Sequence, residues 1–223
     1  MAGKTVDFGL YLITDRRQAR GGDLLAAVER ALAGGVRAVQ LREKDLPGKA
    51  LHALAVEMRR LTSRYGAKLL VNDRADVALA CRADGVHLGV AAIPPAAARR
   101  LLGPNALIGC STHDGAELAA AADGGADFAT FGPVFSTPSK SAFGPPAGIP
   151  ALRRACLPAR IPVFGLGGIG PGNVADIVSA GAAGIGVITA ILGAEDPCHA
   201  AANLLARLEA ARGTRQGGKE GTP

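Results

Sequence analysis

Gln40-Leu41-Arg42-Glu43-Lys44-Asp45 closes a short apolar run, and strand alternation sends Gln40, Arg42 and Lys44 to one side. An amide and two cations facing one cavity suit an oligoanion. Further on, Val71-Asn72-Asp73-Arg74 offers Asp73 as a Mg²⁺ ligand and Asn72 as a donor to phosphate oxygens. Asp73 also stands where it could N-cap the helical run that starts at Ala75. Gly109-Cys110-Ser111-Thr112-His113-Asp114 presents Ser111 and His113 to the cavity, and one of Ser111, Thr112 and Asp114 should cap the helix that follows. Gly132-Pro133-Val134-Phe135-Ser136-Thr137-Pro138-Ser139-Lys140 is a Pro-interrupted loop that continues through Pro146. A long loop inside a compact fold usually serves function. Its hydroxyls and Lys140 can wrap a pyrophosphate, and it could close as a lid. His87, in Asp84-Gly85-Val86-His87-Leu88-Gly89, alternates into a packed interior and reads as a hydrogen-bonded core histidine rather than a base.

Two later runs point to a second anion. Val163-Phe164-Gly165-Leu166-Gly167-Gly168-Ile169 and Gly184-Ile185-Gly186-Val187-Ile188-Thr189-Ala190-Ile191 are buried-strand patterns that break into glycine or a small hydroxyl residue. Glycine lets backbone N–H groups meet an anion without an intervening side chain, and the next helical turn adds its positive end. In a (β/α)8 barrel the loops after strands seven and eight are where a phosphate commonly sits.

The elements that must carry these residues alternate along the whole chain. Strand-like runs at 10–14, 36–41, 68–72, 85–88, 106–109, 128–131, 163–166 and 184–188 are separated by helical patterns at 23–33, 48–64, 75–80, 94–102, 115–122, 148–155 and 172–179, with a last helix at 199–212. Eight β/α units favour a closed α/β (TIM) barrel over an open doubly wound sheet. Gly34-Gly35, Gly124-Gly125 and Ala180-Gly181 precede strands and read as helix C-caps at the barrel floor.

At 223 residues and 48 % hydrophobic content the chain suits one domain, a barrel over residues 1–212. The Gly-, Lys- and Thr-rich tail, residues 213–223, is expected to be disordered. No apolar run reaches the roughly 18 residues of a membrane span. Met1-Ala2-Gly3-Lys4 leads straight into a strand-like segment without a basic-plus-apolar leader, so a cytoplasmic location is expected. The net charge of +6 is dispersed, and 4 % aromatic residues leave little for base stacking, so nucleic acid is not the expected partner. Cys81, Cys110, Cys156 and Cys198 fall at no metal-ligand spacing and read as core fillers.

Taken in order, Gln40–Lys44, Asn72-Asp73-Arg74, Asp84–Gly89, Gly132–Phe135 with Thr137, Ser139 and Lys140, and Gly167-Gly168-Ile169 resemble the thiamine phosphate synthase family. The resemblance runs from Tyr11 to about Ile191 and implies a β/α barrel that joins hydroxymethylpyrimidine diphosphate to thiazole phosphate, with Mg²⁺, releasing pyrophosphate. It implies that Gln40, Arg42, Lys44, Asn72 and Lys140 hold the pyrimidine diphosphate with Ser111, Thr137 and Ser139 nearby. Gly168, Ile188 and Thr189 would cradle the thiazole phosphate, and the family suggests a homo-oligomer.

One position departs from the family pattern. The family continues Gly-Gln-x-Asp after His-Leu, that Asp being its second magnesium ligand, whereas this chain reads Gly89-Val90-Ala91-Ala92. Asp73 with pyrophosphate oxygens and waters could still hold Mg²⁺, with weaker metal binding expected. The gap opens two alternatives: a thiazole tautomerase of the same superfamily with His113 as its acid–base group, and a thiazole phosphate-binding protein without turnover.

Overall fold

Each apolar run and each amphipathic stretch finds the partner its periodicity demands. A computed structural model describes residues 6–137 and 145–217. Ser139, Lys140 and residues 218–223 lie outside the described residues. The strands are β1 (Leu10–Ile13), β2 (Ala38–Leu41), β3 (Lys68–Asn72), β4 (Gly85–Leu88), β5 (Leu107–Thr112), β6 (Phe128–Phe131), β7 (Val163–Leu166) and β8 (Gly184–Val187). They form a closed parallel barrel in chain order, and β8 returns to β1 with Leu10 opposite Ile185 and Tyr11 opposite Gly186. The helices are α1 (Leu24–Ala33), α2 (Gly48–Arg64), α3 (Ala75–Ala80), α4 (Pro95–Leu102), α5 (Gly115–Asp123), α6 (Gly148–Cys156), α7 (Val174–Ser179), α8 (Thr189–Leu192) and α9 (Pro197–Gly217), with a 3₁₀ turn at Arg16–Gln18.

Alternation sorts the core into two layers. Leu10, Leu12, Val39, Leu41, Leu69 and Val71 point outward and pack with helix residues such as Val28, Leu32, Ala55, Met58 and Leu204. Inside the barrel, Phe8, Tyr11, Ile13, Leu70, Phe128 and Phe164 form a compact aromatic-rich plug, with Phe8 edge-on to Phe128 at 5.5 Å between ring centroids. Room for that plug comes from Gly109, where a Cβ would lie 2.5 Å from Nδ1 of His87 and 2.5 Å from the Phe128 ring.

Helix ends follow ordinary capping chemistry. Asp23 accepts from the Ala26 N–H to cap α1, and Asp114, rather than Ser111 or Thr112, accepts from the Glu117 N–H to cap α5. At the barrel floor two aspartates do one job twice. Asp84, just before β4, accepts from the Leu69 N–H at 2.8 Å and pairs with Arg59 of α2. Asp127, just before β6, accepts from the Ile108 N–H at 2.7 Å and pairs with Arg99 of α4. In each case the carboxylate stands where a neighbouring strand would offer a backbone carbonyl.

The boundaries differ from the sequence expectation where tertiary pairing decides. β5 runs on to Thr112, because β6 supplies partners for Ser111 and Thr112 in Thr130 and Phe131. The helical turn α8 follows directly on β8. α9 continues through Gly217, into the stretch expected to be tail. Among the described residues no helix is long and apolar enough to cross a membrane.

Candidate active site

The C-terminal ends of the strands collect the residues singled out by type and spacing. β2 delivers Gln40, only 2 % exposed, whose Nε2 donates to the Tyr11 hydroxyl at 3.2 Å. The Tyr11 oxygen lies 3.4 Å from Nδ1 of His87, and the other ring nitrogen, Nε2, lies 3.1 Å from Oγ of Ser111 and 3.4 Å from Oγ1 of Thr130. A polar chain thus crosses the barrel just above the aromatic plug, joining Gln40 to Ser111. Burial, with the Arg42 charge as a lesser cause, pulls the His87 imidazole down to about 3. His87 is neutral at physiological pH, as its interior position implies. Burial also lifts the Tyr11 phenol above its ordinary range, so it stays protonated.

Above this layer Arg42 is half-buried and Lys44 exposed. The Arg42 N–H donates to Thr14 Oγ1 at 2.9 Å, but its guanidinium finds no partner among the described residues. The adjacent carboxylates are engaged elsewhere. Asp45 takes the Arg16 fork through two 2.7 Å hydrogen bonds, which hold its carboxyl well below the usual range, and it also accepts from Arg17 at 2.6 Å.

Asp73 does not cap α3; the residue at that cap is Arg74, without a side-chain bond. Asp73 instead adopts the left-handed backbone, φ 59°, which turns its carboxylate across to the next loop. Its Oδ1 accepts from the Gly89 N–H at 2.6 Å and its Oδ2 from Asn72 Nδ2 at 2.8 Å. Each oxygen keeps a lone pair. The described residues contain no group of three His, Cys, Asp or Glu side chains able to hold a metal by themselves. Ala92 closes the turn that Gly89 opens, its N–H donating to the Gly89 carbonyl at 3.0 Å. The donor set therefore fits a Mg²⁺ ion that arrives with phosphate oxygens, and does not fit a closed all-protein cage.

On the opposite side, Gly167 and Gly168 both have positive φ, 98° and 64°. A Cβ on Gly168 would lie 2.6 Å from the Ser136 carbonyl, so the loop after β7 packs flush on the loop after β6. Asn173 bridges the turn, donating to the Gly168 carbonyl and accepting from the Gly170 N–H, both at 3.0 Å. The Gly168 N–H has no acceptor among the described residues. Thr189 heads α8, where N–H groups lack intrahelical acceptors. Ile188 occupies the position before it without a side-chain cap.

Not every candidate joins this group. His113 precedes the α5 cap, and its Nδ1 lies 3.0 Å from Glu117 in the first turn of α5; no described contact links it to His87, Ser111 or Arg42. Thr137 is half-buried in the loop after β6, while Ser139 and Lys140 fall outside the described residues. Conversely, Tyr11, Thr14, Glu43 and Thr130 belong to the network although their sequence context marks them only as strand or surface. For Tyr11 and Thr130 the available signal was a polar group at an inward position of an apolar strand. An open depression of about 520 Å³ lined by Arg16, Gly21, Gly22, Asp23, Leu24, Leu25 and Leu54 contains none of the candidate residues.

Comparison with known proteins agrees with this layout. The family model described as "Thiamine monophosphate synthase" matches residues 10–191. A protein of Geobacter sulfurreducens is 59 % identical over 91 % of this chain and 95 % of its own. The thiamine-phosphate synthase of Roseiflexus castenholzii is 45 % identical, covering 84 % of this chain and 82 % of that one. Among solved structures, the thiamine phosphate pyrophosphorylase of Pyrococcus furiosus superposes with a TM-score of 0.83 at 37 % identity, over 91 % of this chain and 96 % of that one. With the match spanning all eight strands and both rims of the barrel mouth, the chain belongs to the thiamine monophosphate synthase family.

Proposed function

We propose that this chain is a thiamine-phosphate synthase, a transferase that joins hydroxymethylpyrimidine diphosphate to thiazole phosphate and releases pyrophosphate. The observation that carries this reading is Arg42, half-buried at the barrel mouth with its guanidinium unpartnered among the described residues while neighbouring Glu43 and Asp45 are taken by other groups. An arginine so placed is ready for an oligoanion, because its fork accepts two phosphate oxygens at once.

Arg42, Lys44 and Asn72 then hold the diphosphate, joined by Ser139 and Lys140 from the loop after β6. Gln40 and Ser111 meet the pyrimidine above the Tyr11–His87 layer, and Thr137 lines the approach. Backbone N–H groups of Gly168, Ile188 and Thr189, with the Thr189 hydroxyl, receive the thiazole phosphate. In the reaction the bond from the pyrimidine methylene carbon to the diphosphate oxygen breaks with its electron pair leaving on oxygen. The thiazole nitrogen then gives its lone pair to that carbon. No proton has to be removed, so charge stabilisation of the leaving group dominates, and that is what Arg42 and the lysines supply. Asp73 is the residue that would hold Mg²⁺, which supplies further neutralisation of the departing pyrophosphate.

The test is thiamine phosphate formation by the purified protein from the two substrates across a Mg²⁺ titration. Turnover supports the reading, and absence of product at every Mg²⁺ concentration overturns it.

A further inference from the structure

The segment Arg42-Glu43-Lys44-Asp45 reads as a charge run able to neutralise itself, yet the fold separates its charges completely. Both carboxylates turn to the loop after β1, and neither cation's side chain has a partner among the described residues. Glu43 is the centre of this partition. It is 4 % exposed, and its Oε1 accepts from Thr14 Oγ1 at 2.7 Å and from the Arg16 N–H at 3.1 Å. Its Oε2 accepts from the same N–H at 3.2 Å and from Arg16 Nη1 at 3.0 Å. A buried carboxylate is tolerated only when so fully bonded. Thr14, fully buried, relays the constraint: its hydroxyl donates to Glu43 and accepts the Arg42 N–H.

We propose that Glu43 is a positioning residue for the diphosphate end of the substrate: by holding Thr14 and Arg16 it fixes the main chain at Arg42 and leaves that guanidinium unpaired for phosphate oxygens. The proposal rests on the synthase reading for the identity of the ligand. It also explains why Arg16 does not compete for the substrate, since Glu43 and Asp45 occupy its fork. The same loop reaches the other subsite, with the Arg20 N–H donating to the Leu192 carbonyl at 2.9 Å. Even so, Glu43 touches only the Arg42 side, so its loss should register on one substrate.

The experiment compares wild type with Glu43→Gln and Thr14→Val, measuring inorganic pyrophosphate binding by calorimetry with Mg²⁺ present and KM for each substrate separately. Both variants are expected to weaken pyrophosphate binding and raise KM for the pyrimidine diphosphate about tenfold, with KM for thiazole phosphate within about twofold of wild type. Equal rises in both KM values, or unchanged pyrophosphate affinity whatever happens to the melting temperature, overturn the proposal. So does a wild-type protein that takes up no pyrophosphate. If Glu43→Gln does not fold, Thr14→Val, which deletes only the relay hydroxyl, decides. A wild type that binds pyrophosphate but makes no thiamine phosphate defeats the synthase reading alone, and the affinity comparison still judges Glu43.

Discussion

Nε2 of His87 lies 3.1 Å from Oγ of Ser111, so a group at the end of β5 that faces the mouth is held by a fully buried imidazole from β4. Because His87 is neutral, with the Tyr11 hydroxyl at its other nitrogen, the ring can donate to only one side. A proton on Nε2 makes Ser111 an acceptor toward His87 and frees its own hydroxyl proton for the substrate.

The imidazole ties stability to pH. Its folded value of about 3 lies below the ordinary 6.5, so the unfolded chain binds a proton that the folded chain refuses between those values. The associated stability is present above about pH 6.5 and is lost as pH falls toward 3, by up to about 1.4 kcal/mol per pH unit. Denaturant titrations at pH 7 and pH 4.5 should show a larger drop for wild type than for His87→Gln; equal drops would remove His87 from the account.

Arg42→Ala should lower kcat/KM for the pyrimidine diphosphate about a hundredfold or more, the order expected for removing a donor aimed at developing charge. Arg42→Lys should recover only part of it, since a point charge replaces a fork. Steady-state kinetics with thiazole phosphate saturating check both. Full activity in Arg42→Ala would strip the guanidinium of its role.

Asp73 alone should bind Mg²⁺ weakly, and calorimetry with MgCl₂ should register binding only when pyrophosphate is present. Ala92→Asp places a carboxylate in the turn that already touches Asp73 through Gly89, and should reduce the Mg²⁺ needed for half-maximal turnover about tenfold. An unchanged Mg²⁺ requirement would mean that this turn does not reach the ion.

Gly168→Ala meets two obstacles, a positive φ and the Ser136 carbonyl 2.6 Å from the new carbon. The expected result is a loss of about 1–3 kcal/mol of stability together with a raised KM for thiazole phosphate. A stability loss with that KM unchanged would place the phosphate elsewhere.

At the floor, Asp127→Ala strands the Ile108 N–H and leaves the Arg99 guanidinium with only the Ala106 and Gly125 carbonyls, and should destabilise by about 2 kcal/mol while both KM values stay within about twofold. Chemical denaturation and kinetics together separate this from a site effect.

Much of this molecule is legible in its sequence, for identifiable reasons. Short apolar strands buried along nearly their whole length, and helices whose apolar residues recur on one face, declare themselves locally, so β3, β4, β6 and β7 and helices α2 and α3 stand at the expected residues. β5 does not, because Ser111 and Thr112 become strand only through partners on β6. Arg42 was visible by alternation, whereas the destination of Glu43 was not, since its partners Thr14 and Arg16 lie in another β/α unit. Asp73 was legible as a site residue, but its backbone at φ 59° and its bond to Gly89 are products of the fold.

The paired clamps at Asp84 and Asp127 bear on how the ring closes at all. A barrel requires each strand to be offset from its neighbour by a fixed shear. At these two joints the following strand begins after the position whose backbone carbonyl would meet the Leu69 or Ile108 N–H, and a carboxylate substitutes for the missing rung. The offset between β3 and β4, and between β5 and β6, is therefore recorded in side-chain charge as well as in the ladder, at the end of the barrel opposite the mouth.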